Sequence, residues 1–205
     1  MNQKTDITSV GNLRSMWSRF CEHHWQETWV INKNLFEGKT CVDIGIWKGL
    51  LNAKAESQLN CKTKIGVEPN STHRADCKRI NPNIELYSSI EDLPENIDTD
   101  ILTLHGVIYL MGTQWIQEME TLLSRVNCKH IHIRTITNNG SYEGDNKIID
   151  GREISKYNMK NYVDTCATIN DIVEFLNKKN YSLIDRRDTN KNRTIITFEK
   201  KYETN

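Results

Sequence analysis

Asp43, Gly45, Gly49 and Glu68 have the types and the spacing to hold a ribose-bearing cofactor. Glycines let a backbone turn tightly and approach a ligand, and a carboxylate about 20 residues further on, at the tip of the next strand, accepts hydrogen bonds from ribose hydroxyls. Ile46 and Trp47 lie inside the turn, and Pro69 follows the carboxylate. His105, followed by Gly106, offers a second chemistry. It closes an apolar run, where an open sheet puts its ligands, and histidine titrates near neutrality, so it is the first candidate for acceptor binding or general base. His132 and Arg134 share one side of a later alternating run and could reach the same mouth, with Tyr109, Tyr142 and Glu143 as weaker acceptor-site candidates. Glu22, His23 and His24 suggest a metal by type alone, but adjacent positions on a helix face different directions, and no metal is expected.

A strand, a tight turn and a helix must position the first group. Cys41, Val42 and Ile44 supply the strand, and Gly49 opens the helical run LLNAKAESQL. KIGVE, Lys64 to Glu68, is a second strand. Asn70 or Ser71 can cap the helix THRADCKRI, which Asn81-Pro82 ends, and Ile84 to Tyr87 reads as a short third strand. Ile101 to Val107 is nearly all apolar, as a central parallel strand should be. From Thr113, the residues Ile116, Met119, Leu122, Leu123 and Val126 predict the core stripe of a helix. HIHIRTI, His130 to Ile136, predicts a fifth strand, half buried and nearer an edge. The glycine-, asparagine- and tyrosine-rich region that follows has weak periodicity. Thr168 to Asp171 looks like a capping box, heading a helix whose inward residues are Ile169, Ile172, Val173 and Leu176. Tyr181 to Asp185 and Thr194 to Glu199 predict two strands joined by the turn-rich DTNKN. Before the first strand, Leu13, Met16, Trp17, Phe20, His24 and the cluster Trp25 to Ile31 recur at helical spacing.

With 205 residues, 37% apolar and 26% charged, the chain can bury one sheet between two helical layers and has no room for a second full domain. Its 27 basic and 27 acidic side chains cancel, so tight non-specific nucleic-acid binding has no electrostatic footprint. Lys178, Lys179, Arg186, Arg187, Lys191 and Arg193 gather late in the chain, but Glu174, Asp185 and Asp188 lie among them, as on an ordinary solvated surface. No apolar run approaches the roughly 20 residues of a membrane span, and MNQKTDITSV lacks the regions of a signal peptide, so a cytoplasmic protein with no membrane partner is expected. The 6 cysteines form no C-x-x-C pair and are expected as reduced thiols, with Cys41 and Cys128 as small core residues.

VDIGIWKG resembles motif I of the class I S-adenosylmethionine-dependent methyltransferases, in a variant form whose central glycine is replaced. IGVEPN resembles their motif II, and DILTLHGVIYLM their fourth-strand motif, with wording seen in some transfer-RNA wobble-uridine and small-molecule enzymes. The match runs through residues 38–199 as an ordered series. It implies a three-layer α/β sandwich with a mostly parallel, doubly wound sheet of about seven strands and an antiparallel C-terminal hairpin. A dinucleotide-binding domain would continue with parallel strands instead. The implied organisation is an N-terminal helical cap over residues 1–35, a methyltransferase-like domain over 36–200 and a tail over 201–205. The implied cofactor is S-adenosyl-L-methionine, held by Asp43, Gly45, Ile46, Trp47, Gly49, Glu68, Pro69, Ser89, Ile90, His105 and Gly106. Ser89 and Ile90 fall in the segment that meets the adenine ring in the family. Asp43 would lie near the amino end of the cofactor, or else satisfy the amides of its own turn.

The chain departs from the family pattern at Trp47, which stands in place of the middle glycine, and at Leu110, which takes the place of a frequent histidine after Tyr109. The Trp47 ring either packs near the cofactor or lies against its positive charge. No Asn-Pro-Pro-Tyr or Asp-Pro-Pro-Tyr element is present, which argues against amino methylation of bases or glutamine. The expected reaction is methyl transfer to an oxygen of a small molecule or sugar, with His105 as the catalytic candidate. A wobble-uridine type RNA enzyme and a non-catalytic methyltransferase-like module stay open as alternatives, and so does the oligomeric state. Nucleic acid is not the favoured partner.

Overall fold

Residues 40 to 44 and 62 to 67 form neighbouring strands because β-branched and other apolar side chains there can be covered on both faces. The computed structural model describes residues 19–136, 147–149, 152–154, 167–189 and 193–201. In chain order the strands are β1 (Thr40–Ile44), β2 (Lys62–Val67), β3 (Glu85–Tyr87), β4 (Ile97–His105), β5 (Val126–Ile136), β6 (Lys147–Ile149), β7 (Arg152–Ile154), β8 (Tyr181–Thr189) and β9 (Arg193–Lys200). Seven of them form one mixed sheet in the order β3-β2-β1-β4-β5-β9-β8, while β6 and β7 pair separately. β4 begins four residues earlier than its apolar run and stops at His105, because the next residue, Gly106, turns away with φ +77°.

The chain divides into two compact units, Met1–Pro94 with Thr99–Leu102, and Glu95–Asp98 with Thr103–Asn205. In the first, β2 runs parallel to both β1 and β3. Its helices are α1 (Arg19–His24), which continues as a π-helical turn Trp25–Val30, then α2 (Lys33–Phe36), α3 (Leu50–Leu59) and α4 (Ser71–Ile80). Trp25, Trp29 and Phe36 bury their rings against Cys41, Ala55, Leu59, Cys61 and Ile101. Those three rings are large enough to make the N-terminal segment part of this unit's core. The Lys54 ammonium closes the rim, 4.9 Å from the Trp25 ring centroid and 3.0 Å from Glu22. Thr40 ties β1 to residue 100, its amide and hydroxyl both donating to Asp100 Oδ2 at 3.0 and 2.9 Å. Leu13, Met16 and Trp17 lie outside the described residues.

In the second unit β9 runs antiparallel to both β5 and β8, so the C-terminal hairpin expected from the sequence is present. Here α5 (Trp115–Arg125) buries Trp115, Met119 and Leu122, whereas Ile116 is 47% exposed. Met119 and Leu122 face inward as predicted, but Trp115, edge-on to Phe175 with ring centroids 5.4 Å apart, takes the inward place assigned to Ile116. Val126 is buried, but as the first residue of β5. β5 is also longer and more central than expected. It lies between β4 and β9, and Ile131, His132, Ile133, Arg134 and Thr135 are all buried. Its alternation of apolar and polar residues thus marks two covered faces and not a solvent face. The helix α6 (Ile169–Lys178) starts on a complete capping box, with the Thr168 hydroxyl accepting from Asp171 N and the Asp171 carboxylate accepting from Thr168 N. Ile169, Ile172 and Leu176 are buried below it. Within the aperiodic region after β5, β6 and β7 form an antiparallel pair in the register Lys147↔Ile154, Ile148↔Glu153, Ile149↔Arg152.

Cys21, Cys41, Cys61, Cys77 and Cys128 are buried small core residues outside any disulfide, with Cys41 Sγ 3.1 Å from Cys61 Sγ and Cys128 Sγ 3.3 Å from the Tyr181 hydroxyl. Cys166 lies outside the described residues. Among the described residues no helix is long and apolar enough to cross a membrane.

Candidate cofactor site

The turn after β1 is built on the end of β2. Val67 O accepts from the amides of both Gly45, at 2.8 Å, and Ile46, at 3.1 Å. Gly45 has φ +78°, open to glycine without strain, but Trp47 follows at φ +53°, a left-handed conformation that costs a residue bearing a side chain about 1 to 2 kcal/mol. That strain is offset by a charge-assisted bond: the Trp47 amide donates to Glu68 Oε2 at 3.1 Å. The other carboxylate oxygen, Oε1, accepts from the amide of Asn70 at 2.9 Å and lies 3.5 Å from His73 Nδ1. Arg74 Nη1 donates to the carbonyls of Glu68 and Pro69, both at 2.7 Å, fixing the segment after β2. Glu68 is only 7% exposed. Each of its oxygens carries one backbone amide, and a carboxylate has about four acceptor positions, so capacity for a pair of hydroxyls remains.

Gly49 caps α3 at φ +68° and is enforced by sterics as well. A Cβ there would stand 2.4 Å from Asn81 Nδ2 and 2.5 Å from Cys77 Sγ. The Asn81 amide donates to Gly49 O at 3.0 Å, tying the start of α3 to the end of α4. Ile46 is buried with Cys77 and Ile84 and presses on the backbone of Gly66, where a Cβ would lie 2.8 Å from Ile46 Cδ1. Asp43 is buried and accepts from Asn52 Nδ2 at 2.8 Å, while the same amide group reaches Thr63 Oγ1 at 3.0 Å. The Trp47 ring is 36% exposed, standing edge-on to His73 at 5.9 Å between centroids. Lys48 Nζ lies 5.6 Å from that ring and 3.1 Å from Asp76, whose carboxyl is held below its ordinary value by hydrogen bonds from Lys48 and Arg79. Ser89 is half-buried and Ile90 buried. Beside them the hydroxyls of Ser88 and Ser89 hold the Asp92 carboxyl below its ordinary value.

The first unit thus brings Asp43, Gly45, Ile46, Trp47, Gly49, Glu68 and Pro69 to the ends of β1 and β2, with Ser89 and Ile90 following β3. His105 and Gly106 belong to the second unit. There His105 ends β4 half-buried and edge-on to His132, at 5.2 Å between centroids, and Gly106 N donates to Arg134 O at 2.7 Å. His132 is fully buried, with Nδ1 3.1 Å from Thr197 Oγ1. Tyr142, Glu143 and the side chain of Tyr109 lie outside the described residues. His23 pairs with Glu27 at 2.6 Å, and among the described residues no three metal-ligating side chains gather.

Asn52 and Asn81 carry no site signal in the sequence pattern, since they brace Asp43 and Gly49 only once the chain folds, whereas His73 and Arg74, in the first turn of α4, follow Glu68 closely enough along the chain to be a local signal.

No protein-family model matches the sequence, and no curated protein matches it. Solved structures do match. The plantazolicin methyltransferase BpumL, solved with a pentazolic desmethylPZN analog and SAH, is similar at a TM-score of 0.63 and 12% identity, covering 96% of this chain and 90% of that one. DhpI, solved as its SAH complex, gives a TM-score of 0.62 at 10% identity over 95% of this chain and 92% of its own. A SAM dependent methyltransferase from Aquifex aeolicus gives 0.57 at 14% identity, over 97% and 98%. The chain has the class I methyltransferase fold.

Proposed function

We propose that this protein is an S-adenosylmethionine-dependent methyltransferase whose acceptor is an oxygen of a small molecule or sugar. The observation that carries the reading is the buried Glu68 carboxylate, fixed by the amides of Trp47 and Asn70 with acceptor positions to spare. A ribose diol fits such a group, since its two hydroxyls both donate. Structures of like fold hold SAH, the product of methyl donation, which supports the donor's identity.

Bound S-adenosylmethionine supplies an electrophilic methyl on a sulfonium. Glu68 would hold the ribose, the backbone of Gly45 and Ile46 would border the methionine part, and Ile90 would offer an apolar surface to the adenine. Asp43, braced by Asn52, would orient the turn and face the amino end directly or through water. The acceptor oxygen gains the methyl as the carbon–sulfur bond breaks, and its proton must leave. His105 is the group we assign to that proton, supported by its half-buried place at the end of β4 and by the His132 ring that props it. Of the expected cap over residues 1–35, residues 1–18 lie outside the described residues, and the part from Arg19 would serve as a cap while packing Trp25 and Trp29 into the core of the first unit. The balance of 27 basic and 27 acidic side chains favours a small acceptor over RNA.

Calorimetry with S-adenosylhomocysteine tests the donor half. Binding should raise stability by RT ln(1 + [L]/Kd). No binding at millimolar ligand, or stabilisation by a nicotinamide dinucleotide in its place, overturns it. A mass-spectrometric search for co-purified cofactor, followed by a screen of hydroxylated acceptors with labelled methyl donor, tests the transfer.

A further inference from the structure

We propose that His73 is a specificity-determining residue of the donor site: with its proton on Nδ1 it stands against Glu68 Oε1 and directs that oxygen to a ribose hydroxyl. The assignment rests on the methyl-donor reading and adds a side chain to it. His73 Nδ1 lies 3.5 Å from Glu68 Oε1, and the His73 and Glu68 side chains are only 19% and 10% exposed. Nδ1 itself is buried and makes no hydrogen bond. A buried ring nitrogen cannot turn its lone pair on a carboxylate without repulsion, so the proton belongs on Nδ1 and the acceptor nitrogen is Nε2. Both residues lie in the first unit.

The ring is held in this place from two directions. The Asn70 amide donates to Glu68 Oε1 at 2.9 Å, and the Asn70 side chain, as the N-cap of α4, accepts from the His73 amide at 3.0 Å. Glu68, Asn70 and His73 therefore form one short local circuit. On its other side the His73 ring meets the edge of Trp47, whose amide holds Glu68 Oε2. The carboxylate is thus bracketed, Oε2 by the Trp47 amide and Oε1 by Asn70 and His73. Among the described residues no other side chain forms a hydrogen bond or ion pair with Glu68. The charged neighbours are bonded elsewhere: Arg74 Nη1 to the carbonyls of Glu68 and Pro69, Lys48 to Asp76, and Asp76 to Arg79 as well. At 3.5 Å, about 0.5 Å beyond an ordinary N–H···O bond, His73 attracts Oε1 without filling its remaining acceptor position. That position is left to a donor, and a ribose hydroxyl is one.

The test has a part that needs no cofactor and a part that does. In the free protein, nitrogen-detected NMR of the His73 ring should find the proton on Nδ1, and a bare Nδ1 overturns the proposal. Calorimetry then compares S-adenosylhomocysteine with its 2′-deoxy and 3′-deoxy analogues. His73→Leu, which keeps an apolar neighbour for Trp47, should weaken S-adenosylhomocysteine binding about three- to tenfold, the range of one hydrogen-bonding group. His73→Asn, which restores an N–H at the same distance from the backbone, should recover most of that loss. With one of the two deoxy analogues the His73→Leu penalty should disappear, which identifies the hydroxyl that docks on Oε1. Unchanged affinity in His73→Leu, equal losses in the Leu and Asn variants, or an equal penalty with all three ligands overturns the proposal. A protein that carries the proton on Nδ1 yet binds no S-adenosylhomocysteine overturns the ribose assignment together with the donor reading, while the His73–Glu68 pairing stands.

Discussion

The amide of Trp47 donates to Glu68 Oε2 at 3.1 Å, so the turn after β1 and the acidic tip after β2 form one hydrogen-bonded unit. The residue that breaks the glycine pattern of the turn is therefore the one that anchors the carboxylate, through its backbone. The Trp47 ring plays no part in that bond.

Glu68→Gln tests this unit. Glutamine keeps one oxygen acceptor but brings an amide N–H against either Trp47 N or Asn70 N, leaving two donors facing each other. Affinity for S-adenosylhomocysteine should fall by about tenfold or more, in line with loss of charged hydrogen bonds worth about 1.5 to 3 kcal/mol. Calorimetry reads it, and an unchanged Kd removes Glu68 from the site.

Trp47→Gly separates ring from backbone. Glycine relieves the left-handed strain of φ +53°, and the 36% exposed ring gives up only part of its burial, so stability should stay within about 1 kcal/mol of wild type. If the ring lines the cofactor pocket, donor affinity should fall while the urea midpoint holds. A fall in the midpoint with unaltered affinity assigns the ring to packing alone.

Gly49→Ala should cost about 2 to 4 kcal/mol, combining positive-φ strain with overpacking. The new methyl would meet Asn81 Nδ2 at 2.4 Å and Cys77 Sγ at 2.5 Å. Adding Cys77→Ala removes one of those contacts and should restore part of the loss. A double-mutant cycle on urea midpoints measures the coupling, and strict additivity would show that Cys77 is not the obstacle.

Alkaline pH should weaken the fold. Burial pushes the Cys77 thiol from its ordinary 9.0 up to about 11, and burial beside Cys61 raises Cys41 as well. Because the folded pKa lies above the unfolded one, this stability is fully present below pH 9.0 and is lost as pH rises through about 11. Urea midpoints measured across that window should decline, and Cys77→Ala should make the decline shallower. A flat profile would contradict the burial of these thiols.

Thr168→Ala and Asp171→Ala should each destabilise α6 by about 1 kcal/mol, and the double variant by less than the sum, since one reciprocal motif is lost either way. Thermal unfolding of the three variants decides it.

Local pattern was enough to read several parts of this protein. The strand, glycine turn and helix from Thr40 to Leu59, the carboxylate at the tip of β2, the Thr168–Asp171 capping box and the closing hairpin all depend on neighbours within a few residues or on one repeated period, which a sequence carries directly. Tertiary structure decided what covers each face. The alternation in β5 left open whether its polar side was wet, and pairing with β9 buried His132 and Arg134 together. In α5, packing on the core put Trp115 inward with Met119 and Leu122 and left the adjacent Ile116 outward, because each helical residue rotates the face by about 100°. The partners that brace the site, Asn52 on Asp43 and Asn81 on Gly49, are 9 and 32 residues away along the chain. Their hydrogen bonds form only once α3 and α4 pack, so no spacing rule along the sequence could have announced them.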